Sequence, residues 1–384
     1  MLITDANIVL ENEVIFGTIE FENGIIKSIE QGKSYTPSAQ SVGNAYIIPG
    51  LIELHTDNLD KFFMPRPGVD WPGFSAMQSH DALMIASGIT TVFDAISIGD
   101  ERDGGHRLTN LTKMLDAINY ANEHNLTRAM HLIHLRCELP SEHTLPLFEF
   151  LSEKEDISLV SLMDHSPGQR QYTSLAKYRE YFQGKYHMTN EEMALYEMRS
   201  KEKADQYSAI NRLKISQSCK DLGIVLASHD DATIAHVDES RDVGCTIAEF
   251  PTTFEAALHS KELGLSALMG APNVIRGGSH SGNLSASHLA SKGALDILSS
   301  DYYPQSLLQA AFEVYLDNAN SYDLPSAINL VTANPAKALN LYDRGQIAVG
   351  KRADLVIFDV HSHNIDHSKH AFIKEVFTHG IKVF

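Results

Sequence analysis

From about residue 49 to residue 334 the chain repeats one pattern: a short apolar, β-branched run, a stretch of helical periodicity, then another run. Eight runs can be counted: YIIPGLIELH closing at His55, GITTVFDA near Asp94, RAMHLIHLRCE at Glu138, ISLVSLMDH at His165, LGIVLASH at His229, GCTIAEF near Glu249, LSALMGAP near Pro272 and LDILSSD at Asp301. Strands that alternate with helices predict a parallel sheet, because parallel neighbours need a crossover between them, and eight such units predict a (β/α)8 barrel. That architecture carries its chemistry at the C-terminal strand ends. Here His55, Glu138, His165, His229, Glu249 and Asp301 all follow mostly apolar runs, where a buried charge is costly unless it has a partner. Their recurrence predicts one polar cluster on the barrel rim.

The two ends of the chain have a different character. Residues 1–48 read as short strands, with Asn23-Gly24 as a hairpin signal, and the chain beyond about Gly345 continues in the same style through GQIAVGKRADLVIFD and FIKEVFTHGIKVF. An isolated strand pair is marginal in water, so the ends are expected to pair in one small β-sandwich domain, 1–48 with 335–384, beside a barrel of residues 49–334. The stretch at about 167–218 is too long for an ordinary strand-to-helix connection. It is predicted to be a rim insertion, helical after Thr189, that either covers the site or stands as a solvated hairpin.

The 49 acidic and 31 basic residues leave a formal charge of −18. Such a field repels polyphosphate backbones and anionic surfaces, so neither nucleic acid nor membrane is an expected partner. A small anionic substrate would need a metal or a local group of Arg and Lys to overcome it. No run approaches the ~18 apolar residues of a membrane helix, and the N-terminus lacks the basic start and apolar stretch of a signal peptide. Three widely spaced cysteines, Cys137, Cys219 and Cys245, fit a reducing compartment, and the cytoplasm is the expected location.

Nineteen histidines direct the search to metal chemistry. His55 and Asp57 stand two apart at the end of the first run, and alternation puts such residues on one side of an extended chain, so both can reach one ion. Glu138 supplies a hard oxygen donor able to bridge two ions, or pairs with Arg136. His165 and His229 bring the imidazoles to three, from three strands, and with two or three carboxylates this matches a binuclear hydrolase site. Glu249 is a further candidate ligand. The donor set suits one or two divalent cations, zinc first, with manganese or iron as alternatives. Asp301 is the candidate general base, since a carboxylate can take the proton of a water whose pKa a cation has lowered toward ~7.

Arg276, Gly277, Gly278 and His280 in MGAPNVIRGGSHSGN form a candidate anion loop, because glycines let backbone N–H groups approach closely and Arg offers a bidentate fork. Lys61, Arg66 and Arg136 are further candidate substrate-binding cations. Arg66 and Arg136 are equally readable as partners of neighbouring carboxylates. His80 in the SHD run could contact ligand, with Asp81 read as a charge at a helix start. His361, His363, His367 and His370 are read as loop.

PGLIELHTD at the barrel's start, Asp301 after the eighth run and NPAKALNLYDRGQIAVGKRADLVIFD near the end together resemble the amidohydrolase superfamily. The resemblance implies a barrel with a small β-sandwich built from both termini, and a metal-dependent hydrolase. The runs LIELHTDNLDKFF, SLMDHSPGQRQ, ASHDDAT, AEFPTTFEAA, MGAPNVIRGGSHSGN and DILSSDYYP are similar to one branch that acts in phosphonate use. For this branch the resemblance implies hydrolysis of a small-molecule triphosphate to the 5-phosphate with release of pyrophosphate. Three positions depart from the common superfamily pattern: Asp57 replaces the second histidine of a His-x-His pair, no lysine ends the fourth strand, and Glu249 stands where many relatives have histidine. Hydrolysis of C–N bonds and a catalytically silent scaffold are the competing expectations. A homo-oligomer is compatible with all three.

Overall fold

The computed structural model describes residues 1–66, 68–99, 106–170, 175–278, 283–363 and 368–384, with the backbone alone at 106–109, 177, 181, 185 and 186. The chain divides into two compact units. The first is Met1–Asp94, Asp116–Leu132 and Met269–Phe384; the second is Ala95–Leu115 and Ile133–Leu268.

Both termini build one mixed sheet in the first unit, from β1 (Leu2–Val9), β2 (Val14–Glu22), β3 (Ile25–Gln31), β4 (Gln40–Ser41) and β5 (Tyr46–Pro49) at the start. The strands β14 (Leu355–Ser362), β15 (Lys369–Thr378) and β16 (Ile381–Lys382) come from the end of the chain. The order is β16-β15-β14-β5-β1-β2-β3, with β4 paired to β1. Asn23 and Gly24, at φ 52° and 78°, form the two-residue turn between β2 and β3, where positive φ at both centres matches the strand twist. Ile3, Ile8, Ile19, Phe21, Ile47, Leu355, Ile357 and Phe377 fill a shared core. Phe21 meets Phe377 edge-on at 5.6 Å although their strands are far apart in the order, so the sheet folds over on itself. His361 and His370 lie opposite each other on β14 and β15. They belong to a hairpin, not to the loop expected from sequence; His367 lies outside the described residues.

The second sheet has β6 (Leu51–Thr56), β7 (Ile89–Ile98), β8 (Met130–Glu138), β9 (Ile157–Met163), β10 (Val225–His229), β11 (Ile247–Glu249), β12 (Ser266–Gly270) and β13 (Ile297–Ser299) in consecutive order. Neighbours run parallel, as at β8–β9, β9–β10, β10–β11 and β11–β12. A parallel bridge between Thr56 and Asp301 nearly closes it into a barrel. The crossovers carry α1 (Asn58–Phe63), α2 (Gly73–Ala86), α3 (His106–Glu123), α4 (Thr144–Ser152), α5 (Leu175–Tyr186), α6 (Asn190–Leu222), α7 (Ile234–Asp242) and α8 (Phe254–Glu262). After β12 come α9 (Ala271–Ile275), α10 (Ala286–Ser291), α11 (Ser306–Leu316), α12 (Leu324–Asn329) and α13 (Ala333–Ala338). All six residues of β6 and all ten of β7 are buried, as strands covered on both faces require.

Several run boundaries differ from the sequence reading: β7 continues past Asp94 to Ile98, and β13 stops at Ser299, which leaves Asp301 on the turn that follows. YIIPGLIELH is two strands, β5 in the terminal sheet and β6 in the barrel, because the chain changes sheets at Gly50. A Cβ there would lie 2.1 Å from Thr90 Oγ1, so only glycine fits the crossing. ISLVSLMDH stops being a strand at Met163, which leaves His165 on the segment that follows. The helices α5 and α6 form the hairpin after β9. Thr189 caps α6 in a reciprocal box with Glu192, each satisfying a backbone N–H of the other.

Candidate active site

In the first unit, alternation along β6 sets Glu53 and His55 on one side of the strand. Glu53 is fully buried and accepts from His55 N at 2.7 Å, from Ser300 N at 2.6 Å and from Ser299 Oγ. Burial pushes its carboxyl up, against the pull of those donors. Ser299 Oγ also reaches His55 O at 2.7 Å, so one carboxylate ties β6 to the turn that presents Asp301. That turn places Asp301 at φ 55°, a left-handed conformation that Asp tolerates better than most residues. His55 Nε2 is 3.8 Å from Asp57 Oδ1. Asp57 N and Asn58 Nδ2 face Asp301 O at 3.3 and 3.4 Å, and Lys61 Nζ donates to Tyr302 O at 2.9 Å. His55, Asp57, Lys61 and Asp301 are thus gathered locally. Glu53→Gln, which turns an NH2 toward the Ser300 N–H, is expected to cost ~1–3 kcal/mol for the unsatisfied donor and to lower the melting midpoint.

In the second unit, His165 Nδ1 lies 2.6 Å from Glu138 Oε1. Asp230 Oδ2 is 3.0 Å from His229 Nδ1 and 3.6 Å from His165 Nε2. His165, His229 and Asp230 offer one ligand atom each, all within 4.8 Å of one another. Burial opposes the charge on Asp230, but His229 and His165 hold its carboxyl well below the usual carboxylate range. Asp230 Oδ2 has no hydrogen-bond partner among the described residues. A buried carboxylate oxygen in that state beside two imidazoles is the donor chemistry of a divalent first-row cation, so these residues fit one. Asp230 sits at φ 58°, turned to join His229 although the two are adjacent in sequence.

Glu249 ends a hydrogen-bonded chain. Ser161 Oγ donates to Glu249 Oε2 at 2.6 Å. A hydroxyl has a single proton, so Ser161 accepts from His134 Nε2 at 2.6 Å, and that nitrogen carries hydrogen. His229 Nε2 lies 4.0 Å from Glu249 Oε2. His134, Arg136 and Glu138 alternate on β8 and share a side, with Arg136 buried beside Met163 at 3.4 Å. Sequence reading missed Asp230 and His134. His134 was visible, four residues before Glu138 on the same strand side; Asp230 joins His229 only through its left-handed backbone.

The remaining candidates are placed differently. Arg66, Arg276 and Gly277 are exposed and Gly278 is partly so; His280 lies outside the described residues. Asp81 is not at a helix start. It sits deep in α2, buried, and accepts from Arg128 N, Arg128 Nε and Ala129 N at 2.8–2.9 Å.

The parallel barrel presents imidazoles and carboxylates at or just after its strand ends, a donor set suited to divalent cations, and residues 277–380 match the amidohydrolase family. The chain belongs to that family. It is 57% identical, over 100% of both chains, to the alpha-D-ribose 1-methylphosphonate 5-triphosphate diphosphatase of Escherichia coli (strain K12). Among solved structures it resembles the 5-methylcytosine deaminase from Klebsiella pneumoniae liganded with phosphonocytosine. That match has a TM-score of 0.65 and 16% identity, covering 100% of this chain and 98% of the other. It also resembles the N-acetyl-D-glucosamine-6-phosphate deacetylase from Mycobacterium smegmatis, at a TM-score of 0.61 and 16% identity over 100% of both chains. At such identity these two share the fold. No helix among the described residues is long and apolar enough to cross a membrane.

Proposed function

We propose that this chain hydrolyses α-D-ribose 1-methylphosphonate 5-triphosphate to the 5-phosphate with release of pyrophosphate, as a cytoplasmic step in phosphonate use. The observation that carries the reading is the 57% identity, along the full length of both chains, to a relative named for that diphosphatase activity. Within the first unit His55 and Asp57, and within the second Glu138, His165, His229 and Asp230, are the residues that would hold divalent cations, zinc first, with Glu249 of the second unit oriented by Ser161. When bound, such a cation lowers the pKa of water and neutralises phosphoryl oxygens.

The protein's own groups supply the rest. Asp301 takes the proton of the attacking water as its oxygen bonds to the α-phosphorus, and the bond from that phosphorus to the bridging oxygen breaks with its electron pair on the departing pyrophosphate. Lys61 steadies the Asp301 turn through the Tyr302 carbonyl. Arg136, Arg276 and the Gly277-Gly278 backbone are assigned to phosphate contacts, with Arg66 and His280 as outer candidates. A ³¹P NMR time course with the ribosyl phosphonate triphosphate is expected to show pyrophosphate appearing with the monophosphate. Chelation should abolish the signal and zinc or manganese should restore it. Release of orthophosphate alone, or of ammonia from C–N substrates with no pyrophosphate, would refute the assignment.

A further inference from the structure

The second unit holds a cavity of about 230 Å³ whose floor includes Glu138 and His165, and whose wall is the Tyr196, Arg199, Ser200 and Lys203 face of α6. Those four residues are spaced i, i+3, i+4 and i+7, one stripe of a helix. We propose that this wall is the seat of the pyrophosphate end of the triphosphate, with Arg199 and Lys203 as its charged grip and Ser200 as a neutral donor between them. This rests on the activity proposed above. The chemistry recognised is a chain of phosphoryl groups.

Three observations support it. The chain carries a net −18, so two cations one helical turn apart on a cavity wall oppose the overall field where an anion must dwell. Arginine adds a planar fork for phosphoryl oxygens and lysine a mobile point charge. Finally, the wall is fixed in place. Asn211, lower on α6, donates to Leu139 O and Ser141 O at 2.8 Å, pinning the helix to the segment that follows Glu138. Tyr178 of α5, which also lines the cavity, packs at a tilt against Phe182 with ring centroids 4.5 Å apart, and Phe182 lies 5.5 Å from Tyr196. With Met193 they form a separate apolar cluster that holds the helical hairpin together. At the other end Arg170, buried, pairs with Asp231 and with Glu239 at 2.9 Å, and Arg212 of α6 meets Glu239 at 3.2 Å. A pre-positioned cationic wall binds without the ordering cost of a loop that must close.

The test is calorimetric titration of inorganic pyrophosphate into the metal-loaded protein, with steady-state hydrolysis of the triphosphate alongside. R199A/K203A is expected to weaken pyrophosphate binding at least tenfold and to raise KM similarly, with kcat changed less than threefold. R199K/K203R should recover most of the loss. K214A/K220A, which removes two exposed charges from the same helix, should bind like the wild type. Unchanged pyrophosphate binding in R199A/K203A, or an equal loss in K214A/K220A, would overturn the seat. If the wild type binds pyrophosphate through Arg199 and Lys203 yet releases none from the triphosphate, the seat stands and the activity falls. If it releases pyrophosphate and R199A/K203A binds it normally, the seat falls and the activity stands.

Discussion

Asp301→Asn is expected to leave the protein folded and to reduce turnover by about 10²–10⁴-fold, the range typical of removing a positioned proton acceptor. The backbone of the position carries hydrogen bonds that the substitution leaves in place. Asp301 O receives Asp57 N and Asn58 Nδ2, and Asp301 N faces Ser299 Oγ at 3.4 Å. Asparagine shares aspartate's tolerance for φ near 55°, so the turn should persist and melting should shift little. What disappears is the carboxylate's capacity to take a proton. The check is kcat against thermal midpoint on the same preparation: a large fall in kcat with an unmoved midpoint is the expected pair. Near-normal turnover would remove Asp301 from the mechanism, whereas a collapsed midpoint would assign it to architecture.

The parts of this molecule that were legible from sequence are those in which burial and position coincide. His229 and Glu249 close β10 and β11 where the apolar runs stop, and a polar residue ending a strand covered on both faces has few interpretations. The terminal sheet was legible because strand character and turn signals are local, as at Asn23-Gly24. Asp230 was hidden because alternation sends adjacent residues to opposite sides. Only a left-handed backbone at that position, which sequence does not announce, turns it back to His229. The break in YIIPGLIELH is marked by Pro49-Gly50, but that its halves join different sheets stays hidden until the neighbour that crowds Gly50, Thr90, is known. The third class of omission is tertiary. His80, Asp94 and His131 come from α2, β7 and β8, and nothing in any one of those segments identifies the other two.

Those three side chains set the largest stability effect to be expected here. Asp94 is fully buried, with Oδ1 2.6 Å from His80 Nε2 and Oδ2 2.7 Å from His131 Nδ1. Both carboxylate oxygens are therefore engaged, and the far side of His131 faces Asp81 Oδ1 at 3.5 Å, itself anchored by Arg128. Burial alone would push His131 down and Asp94 up. The charge of Asp94 instead pulls His131 up to about 9, while His131 and His80 hold Asp94 far below the usual carboxylate range. Breaking a buried pair by removing one partner costs ~3–5 kcal/mol, because the other charge is left uncompensated. Asp94→Asn should lose about that much in denaturant unfolding.

The pH dependence follows from the same shifts. A histidine raised from 6.5 to about 9 contributes stability that is complete below 6.5 and lost as pH rises through 9, worth on the order of 3 kcal/mol for the shared interaction. The lowered Asp94 and Asp81 contribute stability that is present above 3.8 and lost as pH falls through their folded values. Wild-type protein should therefore be less stable at pH 9.5 than at pH 6, and Asp94→Asn should lose the larger part of that difference, with Asp81 alone left to favour the charged form of His131. Parallel wild-type and variant curves between the two pH values would show that the pair is not charged in the folded protein. In that case the three side chains form a neutral hydrogen-bonded bridge between α2 and the barrel strands.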